Sequence, residues 1–181
     1  MVFAPDTEVA LRTVVNLINT AANGREGLVS VADLDRFLAT EGFSGSRSRD
    51  AGELESVRQL RRELWAVWTA DEDAAVDTVN RLLRDANALP QLMKHDGWDW
   101  HLHATAPEAP LADRMSTEAA MALADVIRSK EMERLRVCGS EDCDAAVLDL
   151  SRNRSKRYCD TGNCANRAHV AAYRARQAAA G

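Results

Sequence analysis

The stretch from Arg136 to Gln177 reads RVCGSEDCDAAVLDLSRNRSKRYCDTGNCANRAHVAAYRARQ, and it holds all four cysteines of the 181-residue chain. They form two pairs, Cys138/Cys143 and Cys159/Cys164, with four residues inside each pair and fifteen between the pairs. Zinc accepts four thiolates in a tetrahedron and closes structural sites through paired loops with spacers of roughly two to four residues. The stretch between the pairs is long enough for a β-hairpin. The pattern therefore predicts one structural Zn2+ held by Cys138, Cys143, Cys159 and Cys164, in the order knuckle, hairpin, knuckle, helix. Two disulfides are the main alternative, and these belong to oxidising compartments. No secretory leader is read, and no apolar run approaches the roughly eighteen residues of a membrane span. A cytoplasmic setting without membrane contact is expected. A redox dithiol is the weaker alternative, because its signature places about two residues between the cysteines.

The residues around the cysteines carry a second signal. Residues 150–177 contain seven basic side chains against one acidic one, Asp160, whereas residues 1–149 carry a net charge of −11. A basic segment on an acidic body suggests a patch that meets phosphate. The expected nucleic-acid contacts are Arg152, Arg154, Lys156 and Arg157 near the hairpin tip, with Asn166, Arg167 and Arg174 on the following helix. Guanidinium groups bind phosphate bidentately and read guanine edges in the major groove. Asn166 suits an adenine edge, though a helix cap is the favoured reading. The competing reading is that these cations are solvated, or pair with acidic surface, as in a protein-interaction module.

At these residues the chain resembles the CGNR-type zinc finger family. The family's namesake tetrapeptide reads Cys164-Ala165-Asn166-Arg167 here, and the cysteine spacing and the run from Ser151 to Cys159 also match. The one departure is Ala165 where the family usually has Gly. If that position needs a positive φ, Ala strains it; in the first turn of a helix, Ala improves it. The family usually places an ABATE module before the finger, and the stretch VVNLINT at Val14–Thr20 is similar to it. The resemblance implies a transcription regulator with residues 1–133 as an ABATE-like domain and residues 134–181 as the finger.

The rest of the chain predicts an α+β protein with a mostly helical first domain. Apolar spacing predicts helices over residues 7–22, 31–40, 51–70 and 72–88. Ser30 and Asp33 make a capping-box-like pair. Asn16 and Asn19 interrupt the apolar surface of the first helix, either bonding to a neighbouring loop or lining a ligand cleft. Arg58, Arg61 and Arg62 read as a salt-bridged exposed face. Near Leu92 the period changes: Trp98, Trp100 and Leu102 alternate with polar residues, which predicts a hairpin over residues 91–104 turning at Asp96-Gly97. The tryptophans are expected in the core, and His101 and His103 on a solvent-facing stripe. A last helix is expected over residues 117–134, capped by Ser116 or Thr117. In the finger, residues 146–150 are expected to pair with 156–158, and Val170 and Tyr173 to face the core. No nucleophile–base pair, phosphate-cradling glycine loop or open metal position is apparent, so no enzyme is expected. The helical domain is expected to sense a small-molecule effector, form a homodimer, or bind another protein.

Overall fold

The structure, a computed structural model, describes residues 3–94 and 99–180. The expectations at Asp96-Gly97, Trp98 and His95 lie outside the described residues. The architecture is mostly helical, with two small antiparallel hairpins and the four cysteines gathered at the C-terminal end.

Helix α1 spans Pro5–Asn19. It starts with Pro at its first position, where the ring presets φ and the missing N–H costs nothing. Its apolar face, Leu11, Val14, Leu17 and Ile18, is buried against α3 (Ala51–Thr69) and α5 (Leu111–Arg128). Thr7 ties the same helix to α5 by donating to Asp125 Oδ2 at 2.8 Å. Helix α2 (Val31–Glu41) opens with the anticipated capping box, Ser30 with Asp33, and ends at Gly42 with a left-handed φ of 72°. Helix α4 (Glu72–Asp85) begins on an Asp71 cap and lays Ala75, Val79 and Leu82 onto α3 and α5. It stops three residues earlier than the spacing predicts, because Asn87 turns the chain at φ 48°.

The face of α3 opposite the core is only partly an exposed ion-pair surface. Arg62 pairs with Glu55 there. Arg61, however, is buried and bonds to Thr20 Oγ1 and both oxygens of Glu26, while Arg58 donates to the carbonyls of Leu28 and Val29. These two arginines rivet the connection between α1 and α2 onto α3.

Hairpin β1 (Gln91–Met93) and β2 (His101–His103) forms in the expected place, with Leu92 opposite Leu102. Its faces are inverted relative to the reading from sequence. Trp100 is 66% exposed and Leu102 46%, while His101 and His103 are half-buried. The physical reason is a polar chain. His101 Nδ1 donates to the Asp99 carbonyl at 2.7 Å, and its Nε2 shares a hydrogen bond with His103 Nε2 at 2.9 Å. The half-buried histidines thus carry partners that a solvent-facing stripe would not need.

Helix α5 also departs from expectation, covering Leu111–Arg128 rather than residues 117–134. Ser116 and Thr117 are not caps; both are buried in the helix interior, Thr117 completely. Small side chains there let neighbouring helices approach. Pro110 starts the helix, and Lys130, at φ 57°, ends it. A 3-10 turn (Met132–Arg134) then feeds directly into β3 (Leu135–Val137), which pairs with β4 (Ala146–Leu148). The finger's hairpin therefore brackets the first cysteine pair, and residues 156–158 are not the partner strand. Leu135, Ala146 and Leu148 belong to the main core, with β4 against α1 and β3 against α3. One continuous core thus crosses residues 133/134. Helix α6 (Cys164–Ala180) completes the chain.

Candidate metal centre

The first knuckle is the turn of the β3–β4 hairpin. Cys138 N–H bonds to the Ala145 carbonyl at 2.9 Å and Cys143 N–H to Ser140 O at 3.1 Å, so both cysteines hang from a closed loop. Gly139 lets this loop approach the chain returning from the basic turn. Its N–H bonds to Arg157 O at 2.7 Å, and a Cβ there would sit 3.2 Å from that oxygen. The second knuckle spans residues 159–164, and Cys164 is the first residue of α6.

All four cysteines are buried free thiols, and their sulfurs lie within 4.8 Å of one another. Cys159 Sγ is 3.8 Å from both Cys143 Sγ and Cys164 Sγ. Four ligands at about 2.3 Å from a tetrahedral zinc stand about 3.8 Å apart, the spacing that Cys159 already has to Cys143 and Cys164, and the whole set lies within 4.8 Å. The donors around the sulfurs fit thiolates. Cys159 N–H points to Cys138 Sγ at 3.4 Å. Burial pushes the Cys143 thiol up to about 12. Burial opposes ionisation of Cys159 as well, but there the Thr161 side chain and the Gly162 backbone outweigh it and bring the group to about 7. Four sulfurs leave a tetrahedral zinc with no open position. Ala165 sits in the first helical turn without a positive φ, so the departure from Gly at this position carries no strain.

The finger is bolted to the helical domain by polar side chains, and for Asn19 the reading that holds is a bond to a neighbouring segment. Asn19 pairs with the backbone of Ala146 in both directions: Nδ2 donates to Ala146 O at 3.0 Å, and Oδ1 accepts Ala146 N–H at 2.7 Å. Asn23 and Asp144 exchange the same kind of bonds, N–H to Oδ1, at 2.6 and 3.3 Å. Trp68 Nε1 donates to Arg136 O at 2.8 Å. Asn16 instead donates to Glu41 at 2.8 Å, and it lines, with Phe37, Thr40 and Thr161, an open cleft of about 340 Å³ between α1, α2 and the second knuckle.

The basic residues split into two groups. Arg154 pairs with Glu131 at 3.0 Å and with Glu133; Lys156 pairs with Asp160 at 2.6 Å; Arg167 pairs with Asp142. Among the described residues no ion pair involves Arg152, Arg157, Arg174 or Arg176, although Arg157 lies 5.9 Å from the Tyr158 ring centre. Asn166 is exposed in the first turn of α6, with no side-chain hydrogen bond among the described residues. Val170 and Tyr173 are exposed rather than in the core, because α6 leaves the body after its first turn. The turn itself is built on Asp149, which is fully buried. Its carboxylate accepts from Ser151 N–H, Ser151 Oγ and Lys156 N–H, and lies 3.3 Å from Arg136. Asp two residues before Ser is a side-chain turn signal that would have marked this residue in the sequence.

Fold and site together define a helical domain with a fused four-thiolate zinc finger. Residues 11–130 match the ABATE family, whose description is "Putative stress-induced transcription regulator", and residues 134–177 match the CGNR zinc finger. The chain belongs to the ABATE family, with a CGNR finger at its C-terminal end, and its four cysteines hold one structural zinc ion. A search of curated proteins finds no match to the chain. Among the described residues, no helix is long and apolar enough to cross a membrane.

Proposed function

We propose that the protein is a non-enzymatic transcription regulator that binds duplex DNA through the segment ordered by zinc. The observation that carries this reading is the charge of residues 150–177, seven basic side chains against one acidic, on a turn that lies between Cys143 and Cys159 and a helix that starts at Cys164. Zinc and Asp149 hold the turn that presents Arg152 and Arg157. Helix α6 presents Arg174 and Arg176 along an exposed flank. These four arginines are the phosphate- and base-contacting set, because Arg154, Lys156 and Arg167 are already neutralised by carboxylates. The open cleft at Asn16, Phe37 and Thr161 supports a role for the helical domain in sensing a small-molecule effector, since Thr161 of the second knuckle closes one side of it.

The test is binding of zinc-loaded protein to duplex DNA across a salt series. Four phosphate contacts correspond to a slope of log K against log salt of about −4. An Arg152/Arg157/Arg174→Ala variant should weaken binding and flatten that slope by about 3, with zinc still bound. Absence of binding at low salt would overturn the proposal. It would favour the second reading, a protein-interaction module, which the existing Arg154–Glu131 and Arg167–Asp142 pairs support as examples of these cations meeting carboxylates.

A further inference from the structure

Arg167 lies in the first turn of α6, three residues after Cys164. One Nη2 hydrogen points to the Cys164 sulfur at 3.2 Å and the other to Asp142 Oδ1 at 3.1 Å. Nη1 donates to Asp142 Oδ2. The planar fork therefore joins a metal-ligating sulfur of the second knuckle to a carboxylate of the first. Asp142 directly precedes Cys143, and the Ser140 hydroxyl holds its Oδ1 at 2.8 Å. A four-thiolate zinc centre carries excess negative charge, and hydrogen bonds from outside the ligand shell orient the ligands and spread that charge. Guanidinium suits this role because its donors are fixed in one plane, so sulfur and carboxylate can be engaged together.

We propose that Arg167 is a positioning residue of the zinc centre, clasping one knuckle to the other through Cys164 and Asp142, and that it is not a nucleic-acid contact. Its neighbours support the distinction. Lys156 and Arg154 also pair with carboxylates, but neither touches a metal ligand. Arg174 sits on the same helix with the same charge, exposed and away from the sulfurs. An isolated exposed ion pair contributes little; the sulfur contact is what gives Arg167 leverage over the metal. The inference rests on zinc binding and not on the DNA reading.

The test uses full-length zinc-loaded protein and a chromogenic zinc chelator as competitor. Arg167→Ala should weaken zinc affinity by about 10–100-fold, the range for removing such an outer partner, while Arg174→Ala leaves it unchanged. In Co2+-substituted protein, loss of the N–H···S bond should move the sulfur-to-cobalt charge-transfer band to lower energy in Arg167→Ala and not in Arg174→Ala. Arg167→Lys should recover part of the affinity. Should Arg167→Ala fail to fold, Arg167→Lys and Asp142→Asn carry the test, since both preserve bulk and disturb the clasp; each should show a smaller loss and a smaller band shift. Zinc affinity and cobalt spectra indistinguishable between the Arg167 and Arg174 variants overturn the proposal. So does unchanged zinc affinity combined with DNA binding lost only in Arg167→Ala. If no variant and no wild-type protein binds DNA, the metal readouts still decide this question separately.

Discussion

Replacing Asn19 by Ala should destabilise the protein far more than the same change at Asn16, three residues away on the same helix. The Asn19 side chain acts as a third strand for β4, giving and accepting one bond with the backbone of Ala146, a residue that is only 1% exposed. Truncation leaves a buried N–H and a buried C=O without partners. Each such group costs about 1–3 kcal/mol, so the pair comes to roughly 2–4 kcal/mol allowing for partial access of water. For a chain of this length that corresponds to a fall in Tm of about 5–15 °C. Asn19→Asp should be nearly as damaging, because one oxygen still accepts the Ala146 N–H but the other now faces the Ala146 carbonyl. Asn16→Ala removes only an exposed bond to Glu41 and should cost no more than about 1 kcal/mol. The assay is urea unfolding of zinc-saturated protein, with thermal unfolding alongside. An Asn19→Ala variant within about 0.5 kcal/mol of wild type, or equal to Asn16→Ala, would show that the finger does not depend on this contact and refute the reasoning.

Three further outcomes follow from the same geometry. Cys143→Ser should reduce zinc to below one ion per chain by elemental analysis, and should lower stability in proportion to the metal lost, since binding energy of this kind is folding energy. Gly162→Ala should also weaken zinc binding: the added Cβ would lie 3.2 Å from Cys164 Sγ and 3.5 Å from Cys159 Sγ, atoms that a bound metal prevents from yielding. Glu118→Gln should stabilise the protein above neutral pH and make little difference near pH 4. Burial raises Glu118 from 4.5 to about 7, partly opposed by Arg114 and His101. An acid raised in the folded state penalises folding as pH climbs from 4.5 through 7, so the gain should grow across that window to on the order of 3 kcal/mol, measured by unfolding at pH 4 and pH 8.

The four cysteines were legible in sequence because metal chemistry imposes its own spacing: two short loops, a spacer and a helix start at Cys164 satisfy a tetrahedron whatever surrounds them. The helices α1 to α4 were legible because one apolar face repeats along each. Where reading failed, local signals had tertiary rivals. Ser116 and Thr117 look like caps, yet they are buried because close helix packing needs small side chains. His101 and His103 alternate as a polar stripe, yet they are half-buried and bonded to each other while Trp100 lies outside. Charge shows a comparable split. The sequence alone identifies a basic segment, but only the three-dimensional arrangement decides that Arg154, Lys156 and Arg167 are occupied by Glu131, Asp160 and Asp142. Likewise Asn19 and Trp68 carry no periodic signature for their partners, because each reaches a single residue far away in the chain, Ala146 and Arg136. Composition and spacing determined that this protein holds a metal and a helical core. Which strand pairs with which, and which cations pair with the chain's own carboxylates, was decided by packing, since both depend on groups that meet only when the chain is folded.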